Sequence, residues 1–209
     1  MAKLPELHQK HKVCVICEGY EEKAYIDRLL DLNIWHHYDI IAINAKGALN
    51  IPARFQDAFQ NNNYEIVLVF CDTDKSSSRT YLPIKKMINT FLGKRKAAEK
   101  LIIFANPCTM QIILSHFGDV SLSSQSKRVN APIIERLTGV KDYDAKDDQV
   151  KAICSKISRR NYGDMKKRVE LINCADDITP STNFIIYLDR FESENAKWIS
   201  DINRFLISE

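Results

Sequence analysis

No run of about 18 apolar residues occurs in the 209-residue chain, so no membrane-crossing helix is expected. The opening MAKLPELHQKHK lacks the apolar centre of a secretory signal. No GxxxxGK[ST] segment is present, so any use of ATP has to come from another chain. Cys14-x-x-Cys17 has the spacing of half a zinc site, but no second pair follows it. It also lies in an apolar run where residues three apart face opposite sides, which reads as core thiols. Four of the six cysteines (Cys14, Cys17, Cys71, Cys154) sit in apolar or periodic segments, as free thiols do in a reducing compartment. The chain is therefore read as cytoplasmic, with no membrane partner. Internal repeats and a clear linker are also lacking.

What is there is ordinary for a globular protein. Hydrophobic residues make up 45% and charged residues 27%, enough for a real core. The net charge of +3 is too small to announce a nucleic-acid binder by itself. The length suits one embellished domain.

Apolar, β-branched runs at 12–17, 38–43, 65–71 and 100–104 predict strands. Segments at 20–33, 49–60, 82–97 and 108–117 carry helical periodicity. This alternation predicts an α/β fold with a mainly parallel sheet and helices on both faces. Residues 118–130 are polar and Ser-rich and read as a loop. From 131 onward only helical patterns are expected, at about 131–138, 146–160, 162–174 and 192–206. The division expected is an α/β domain over 1–120 and a helical extension over 121–209 packed on it as a cap.

Acidic residues stand where the strands end. Glu18 follows the first run, and Asp72 and Asp74 follow the run at 65–71. In open parallel sheets ligands bind beyond the carboxyl ends of the strands. Neighbouring strands lie about 4.8 Å apart, so terminal acids can share one ion. Side chains two apart in an extended segment point the same way, so Asp72 and Asp74 can face it together. Clustered carboxylates repel unless a cation neutralises them, and hard oxygen donors select Mg²⁺ or Mn²⁺. Gly19 suits a tight turn, and Glu21 or Glu22 in the next helical turn can extend the acidic site.

The pattern strand–Glu18-Gly19-x-x-Glu22–helix, then strand–Asp72-x-Asp74, resembles the TOPRIM domain of topoisomerases, primases, RNase M5-like enzymes and OLD-family nucleases. More narrowly, VCVICEGYEEKAYIDRLL, IVLVFCDTDKS, IIFANPCTMQIILSHFG and PSTNFIIYLDRF resemble RloB-like proteins, small TOPRIM proteins of bacterial anti-phage or abortive-infection loci. The resemblance covers most of the chain. It implies a Rossmann-like TOPRIM fold. It implies Glu18 as acid/base or metal ligand, Asp72 and Asp74 as metal ligands, and Glu22 as an auxiliary acid. It also implies an ATPase partner. One departure is visible: Asn106-Pro107-Cys108 continues as Thr109-Met110-Gln111, where the family commonly has Phe-Glu and an aromatic residue.

Lys46 in NAKG and Lys75 beside the aspartates are candidate phosphate ligands, Lys75 the better placed. Residues 151–170 hold seven basic side chains against two acidic ones. Arg159, Arg160, Lys166 and Lys167 in that stretch are candidate nucleic-acid contacts. His36-His37 and His116 read as packed histidines first and as ligands or catalysts second. The function expected is a Mg- or Mn-dependent nuclease acting on DNA or RNA in anti-phage defence. The alternative is a non-catalytic nucleic-acid-binding or regulatory subunit of an ATPase complex. A primase-like nucleotidyl transferase is a third reading, weakened by the lack of a template-binding zinc module.

Overall fold

A computed structural model describes residues 10–61, 63–73 and 80–208. Four β-branched runs form parallel strands: β1 (His11–Cys17), β2 (Tyr38–Asn44), β3 (Ile66–Asp72) and β4 (Ile102–Asn106). The order is β2-β1-β3-β4-β5, with β5 (Ser181–Thr182) antiparallel to β4. In β3 all six residues before Asp72 are buried, as expected of a central strand covered on both faces. β2 lies at the edge and alternates buried and exposed over its first four residues.

The chain leaves β1 toward β2 through α1 (Tyr20–Asp31), then returns past β1 to β3 through α2 (Ile51–Gln60). Right-handed crossovers therefore put α1 and α2 on opposite faces. On the α1 face, Phe184 lies 5.7 Å from Tyr25 and stacks on Phe70 at 5.5 Å. On the α2 face, Phe55 meets Phe91 of α3 (Tyr81–Phe91) edge-on at 6.1 Å. Each buried aromatic or branched side chain contributes roughly 1.5–3 kcal/mol by leaving water. The α/β architecture with a mainly parallel sheet agrees with the expectation from the sequence. No described helix is long and apolar enough to cross a membrane.

Several elements differ from the sequence reading. Residues 97–101 form a short helix, α4 (Ala97–Leu101), so the fourth strand begins at Ile102. The helix after β4 is reduced to α5 (Met110–Leu114). The polar stretch 118–130 is a loop only to Ser126, where α6 (Lys127–Thr138) begins. That loop is pinned: Gln111 Nε2 donates to the Val120 carbonyl at 2.9 Å, and the Leu122 N–H donates to Gln111 Oε1 at 2.8 Å.

The helices expected over 146–160 and 162–174 are α7 (Asp147–Cys154) and α8 (Arg159–Glu170), with the break between them falling earlier, at 155–158. Arg28 of α1 donates to the Ile157 carbonyl through Nε at 3.0 Å and Nη2 at 2.6 Å, and Ser158 caps α8. That carbonyl is then taken outside the helical ladder.

The segment PSTNFIIYLDRF holds β5 and α9 (Phe184–Glu192), which periodicity did not reveal. Asn183 continues the β4 pairing with its side chain, accepting from Phe104 N–H at 2.8 Å and donating to the Ile102 carbonyl at 2.7 Å. This covers an otherwise open sheet edge. α10 (Lys197–Ile207) closes the described chain.

Candidate functional site

β1 and β3 are parallel neighbours, in register from Val13↔Ile66 to Cys17↔Phe70. The residues that follow them therefore emerge side by side at the C-terminal edge of the sheet. The Glu18 N–H still continues the ladder to the Phe70 carbonyl at 2.9 Å. Its Oε2 accepts the Asp72 backbone N–H at 3.1 Å. Asp72 Oδ1 in turn accepts two bonds from Thr109, from the N–H at 2.8 Å and the hydroxyl at 3.0 Å. Thr109 is fully buried just after the Asn106-Pro107-Cys108 turn, so β4 sets the Asp72 carboxylate from the side opposite Glu18.

The turn after β1 is equally constrained. Glu22 reaches back to accept the Gly19 N–H at 2.8 Å, satisfying one of the open donors at the start of α1. Gly47 approaches from β2 and donates to the Glu18 carbonyl at 2.8 Å. Its φ of +118° is a backbone state that a side chain resists, which fixes glycine there.

Glu18, Glu21, Glu22 and Asp72 line one cavity of about 310 Å³. Burial, then the charges of Glu22, Glu18 and Glu21, raise the Asp72 carboxyl well above its ordinary range. Burial and then Glu21 push Glu22 up to about 7. Glu21 is raised by burial and moderated by a 2.5 Å hydrogen bond from the Tyr143 hydroxyl and by the charge of Lys127. Glu21, Glu22 and Asp72 form no ion pair with a lysine or arginine among the described residues. The excess negative charge and the all-oxygen donor set match a hard divalent cation in kind. Among the described residues, however, no group of three His, Cys, Asp or Glu side chains is drawn together as metal ligands.

The other candidates are scattered. Asp74 and Lys75 lie outside the described residues. Lys46 is exposed in the β2 loop next to the cavity-lining Gly47. Arg159 sits at the other end of α1, where it donates to the Leu32 carbonyl at 2.9 Å and the Asn33 carbonyl at 3.3 Å. The cavity meets α1 at its first turn, and twelve residues of helix span about 18 Å. Lys166 is held by Asp189 at 2.8 Å and Glu192 at 2.5 Å. Arg160 and Lys167 are exposed on α8.

His116 is buried away from the acids, between the Tyr25 hydroxyl at 2.9 Å and Asn161 at 3.3 Å, a packed histidine. Cys14, Cys17, Cys71, Cys108 and Cys154 are free and buried, and Cys174 is free and exposed.

Sequence reasoning did not find Thr109, Tyr143, Gln125, Lys127 or Asn130. The last four reach the cavity from the C-terminal half, in segments whose polar composition reads as loop or surface. The one available signal was the position of Thr109 at the end of a strand next to β3.

Fold and site thus define a class: an α/β protein with a parallel-sheet core and a carboxylate-walled cavity at the strand ends. No protein-family model matches the chain, and no curated protein does. Among solved structures, the C-terminal region of the Burkholderia pseudomallei OLD protein is similar, with a TM-score of 0.47 and 14% identity. The match covers 76% of this chain and 95% of that one.

Proposed function

We propose that the chain is a metal-dependent nuclease of the TOPRIM kind that hydrolyses phosphodiester bonds in DNA or RNA. The observation that carries this reading is the 3.1 Å bond between the Asp72 N–H and Glu18 Oε2, which joins acids from two adjacent parallel strands at one point of the sheet edge. Glu18 and Asp72, with Asp74, would hold Mg²⁺ or Mn²⁺. Such an ion supplies Lewis acidity to the scissile phosphate and lowers the pKa of a bound water.

The chain's own residues supply position. Thr109 fixes the Asp72 carboxylate. Glu22 fixes the Gly19 turn, and Gly47 fixes the Glu18 backbone. Lys46 at the rim and Lys75 beside Asp74 are assigned to phosphate oxygens. Arg160 and Lys167 are assigned to more distant nucleic-acid contacts. A place in bacterial anti-phage defence and an ATPase partner are supported by the resemblance to RloB-like proteins alone.

The test is purified protein incubated with Mg²⁺ or Mn²⁺ and labelled DNA and RNA, beside Asp72→Ala. Wild type should cut and the variant should lose at least about a hundredfold in rate, the scale of removing a metal ligand or its support. Undiminished cutting by Asp72→Ala would end the proposal.

The second reading, a non-catalytic subunit of an ATPase complex, is supported by the resemblance to RloB-like proteins alone. Titration calorimetry separates the two. No heat with Mg²⁺ or Mn²⁺, together with a co-purifying ATPase, selects the subunit.

A further inference from the structure

The wall facing the carboxylates is of a different character. Ile134 and Asn130 of α6, Gln125 before it, and Met110 and Tyr143 line the other side of the same 310 Å³ space. This wall is built rather than draped. Gln111 clamps residues 120–122, Asn130 Nδ2 donates to the Ser124 carbonyl at 2.8 Å, and Leu122 is buried. The Tyr143–Glu21 bond ties the two walls together. Gln125 lines the cavity with part of its side chain, while its Nε2 is screened from solvent and has no hydrogen-bond partner among the described residues. A buried amide donor without an acceptor carries a cost that calls for an explanation. Tyr20, partly exposed at the mouth, and Lys127, exposed at the start of α6, complete the rim.

We propose that this cavity takes one unpaired nucleotide, its phosphate toward the acidic wall and its base against Gln125 and the α6 side, so that the substrate is single-stranded or locally opened nucleic acid. The volume of about 310 Å³ lies at the lower end of small-ligand pockets, room for one nucleotide and not for a segment of duplex. A duplex laid across the rim would be kept from Asp72 and Glu22, which lie deep, by α6 and the Tyr143 segment. An unpaired base has an exposed hydrogen-bonding edge, which would supply an acceptor for the Gln125 amide once that side chain turns toward the cavity. Its face can stack on an aromatic ring, and Tyr20 stands at the entrance. Lys127 is placed for the neighbouring phosphate. The inference rests on the nuclease reading for the chemistry and for the divalent cation that lets a phosphate approach the acids.

The experiment uses the full chain with Ca²⁺ replacing Mg²⁺ and follows fluorescence anisotropy of labelled 12-mers at one fixed salt concentration. The arms are single-stranded DNA, single-stranded RNA, the corresponding duplexes, and single strands abasic at every position. One of the single strands should bind at least about tenfold tighter than its duplex, and removing all the bases should abolish that advantage. Gln125→Leu should weaken single-strand binding about tenfold without lowering the melting temperature. Equal or tighter duplex binding, no binding in any arm, or an indifferent Gln125→Leu overturns the proposal. A single-strand preference without any Mg²⁺- or Mn²⁺-dependent cleavage would keep the pocket and remove the nuclease. Cleavage confined to duplex would do the reverse.

Discussion

Thr109 and Glu22 show how much of the site depends on single hydrogen bonds. Thr109 meets Asp72 Oδ1 through two groups, and only the hydroxyl can be removed by substitution. Thr109→Val keeps the shape and the N–H but deletes the hydroxyl bond to a charged acceptor, an interaction of about 1.5–3 kcal/mol. Mn²⁺ binding, followed by the paramagnetic resonance of the free ion, should weaken at least about tenfold in Thr109→Val and recover in Thr109→Ser. Equal affinity in all three proteins would show that the hydroxyl has no part in aiming Asp72.

Glu22 is a buried acid pushed to about 7 by burial and by Glu21, so its charge opposes folding above neutrality. Glu22→Gln can still accept the Gly19 N–H while removing the charge. At pH 8, without divalent ions, it should raise unfolding free energy by about 1–3 kcal/mol in denaturant titration. A loss of stability instead would mean that the ionised carboxylate is needed by the turn. Glu18 and Asp72 were legible in the sequence because a strand end is visible as an abrupt stop in an apolar run. Thr109 was not, because its role depends on β4 lying next to β3.

At the scale of elements, the strands were legible and some helices were not, for physical reasons. β-branched runs bounded by acidic or small residues give strands, and β1, β2 and β3 begin and end within a residue or so of where those runs do. The segment 184–192 carries apolar residues at Phe184, Ile185, Ile186 and Leu188, a run that periodicity alone does not assign to helix or strand. Asn183 and Thr182 resolve it by docking on β4. That the break between α7 and α8 falls at 155–158 rather than near 161 required knowing that Arg28 would reach it.

α1, α5 and α8 meet at His116, which bonds Tyr25 and Asn161 and feels Arg168. Burial is the main cause that lowers its pKa to about 4. The folded state thus keeps it neutral, whereas the unfolded chain protonates it near its ordinary value of about 6.5. The stability this neutral state provides is complete above about 6.5 and is lost as pH falls toward 4, amounting to at most about 3 kcal/mol. Glu22 works in the opposite direction, gaining stability as pH drops below about 7, so the net curve of the wild type is a mixture. The difference between wild type and His116→Asn isolates the histidine: it should shrink steadily from pH 6.5 to 4. A difference independent of pH would mean that His116 is already charged in the fold.

Across the whole molecule, the distribution of charge matters more than its sum of +3. The most basic stretch of sequence, 151–170, looked like a nucleic-acid face because composition counts every cation as available. In the fold Arg159 closes the end of α1, Lys166 joins α8 to α9, and Arg168 bonds Asp119 at 2.7 Å and the Ser115 carbonyl at 2.8 Å. Their charge is committed to tertiary contacts, and Arg159 is a helix length from the acids. Lys46 and Lys127, both outside that stretch, stand instead at or next to the mouth of the acidic cavity.

Phosphate contacts betray themselves by salt: each one lost lowers the slope of log affinity against log salt by about 0.7–0.9. Lys46→Ala and Lys127→Ala should each weaken binding of a single-stranded oligonucleotide and flatten that slope by about one contact, with the melting temperature unchanged. Arg159→Ala and Lys166→Ala should leave the slope unchanged and lower the melting temperature by a few degrees, since each frees carbonyls or carboxylates that are now paired. Arg160→Ala and Lys167→Ala test the remaining exposed pair on α8. A reduced slope there would extend the nucleic-acid path along that helix, whereas an unchanged slope would confine it to the cavity mouth. The opposite outcome for the first two pairs, a flattened slope from Arg159 or Lys166 and none from Lys46 or Lys127, would move the binding face to α8 and detach it from the acids.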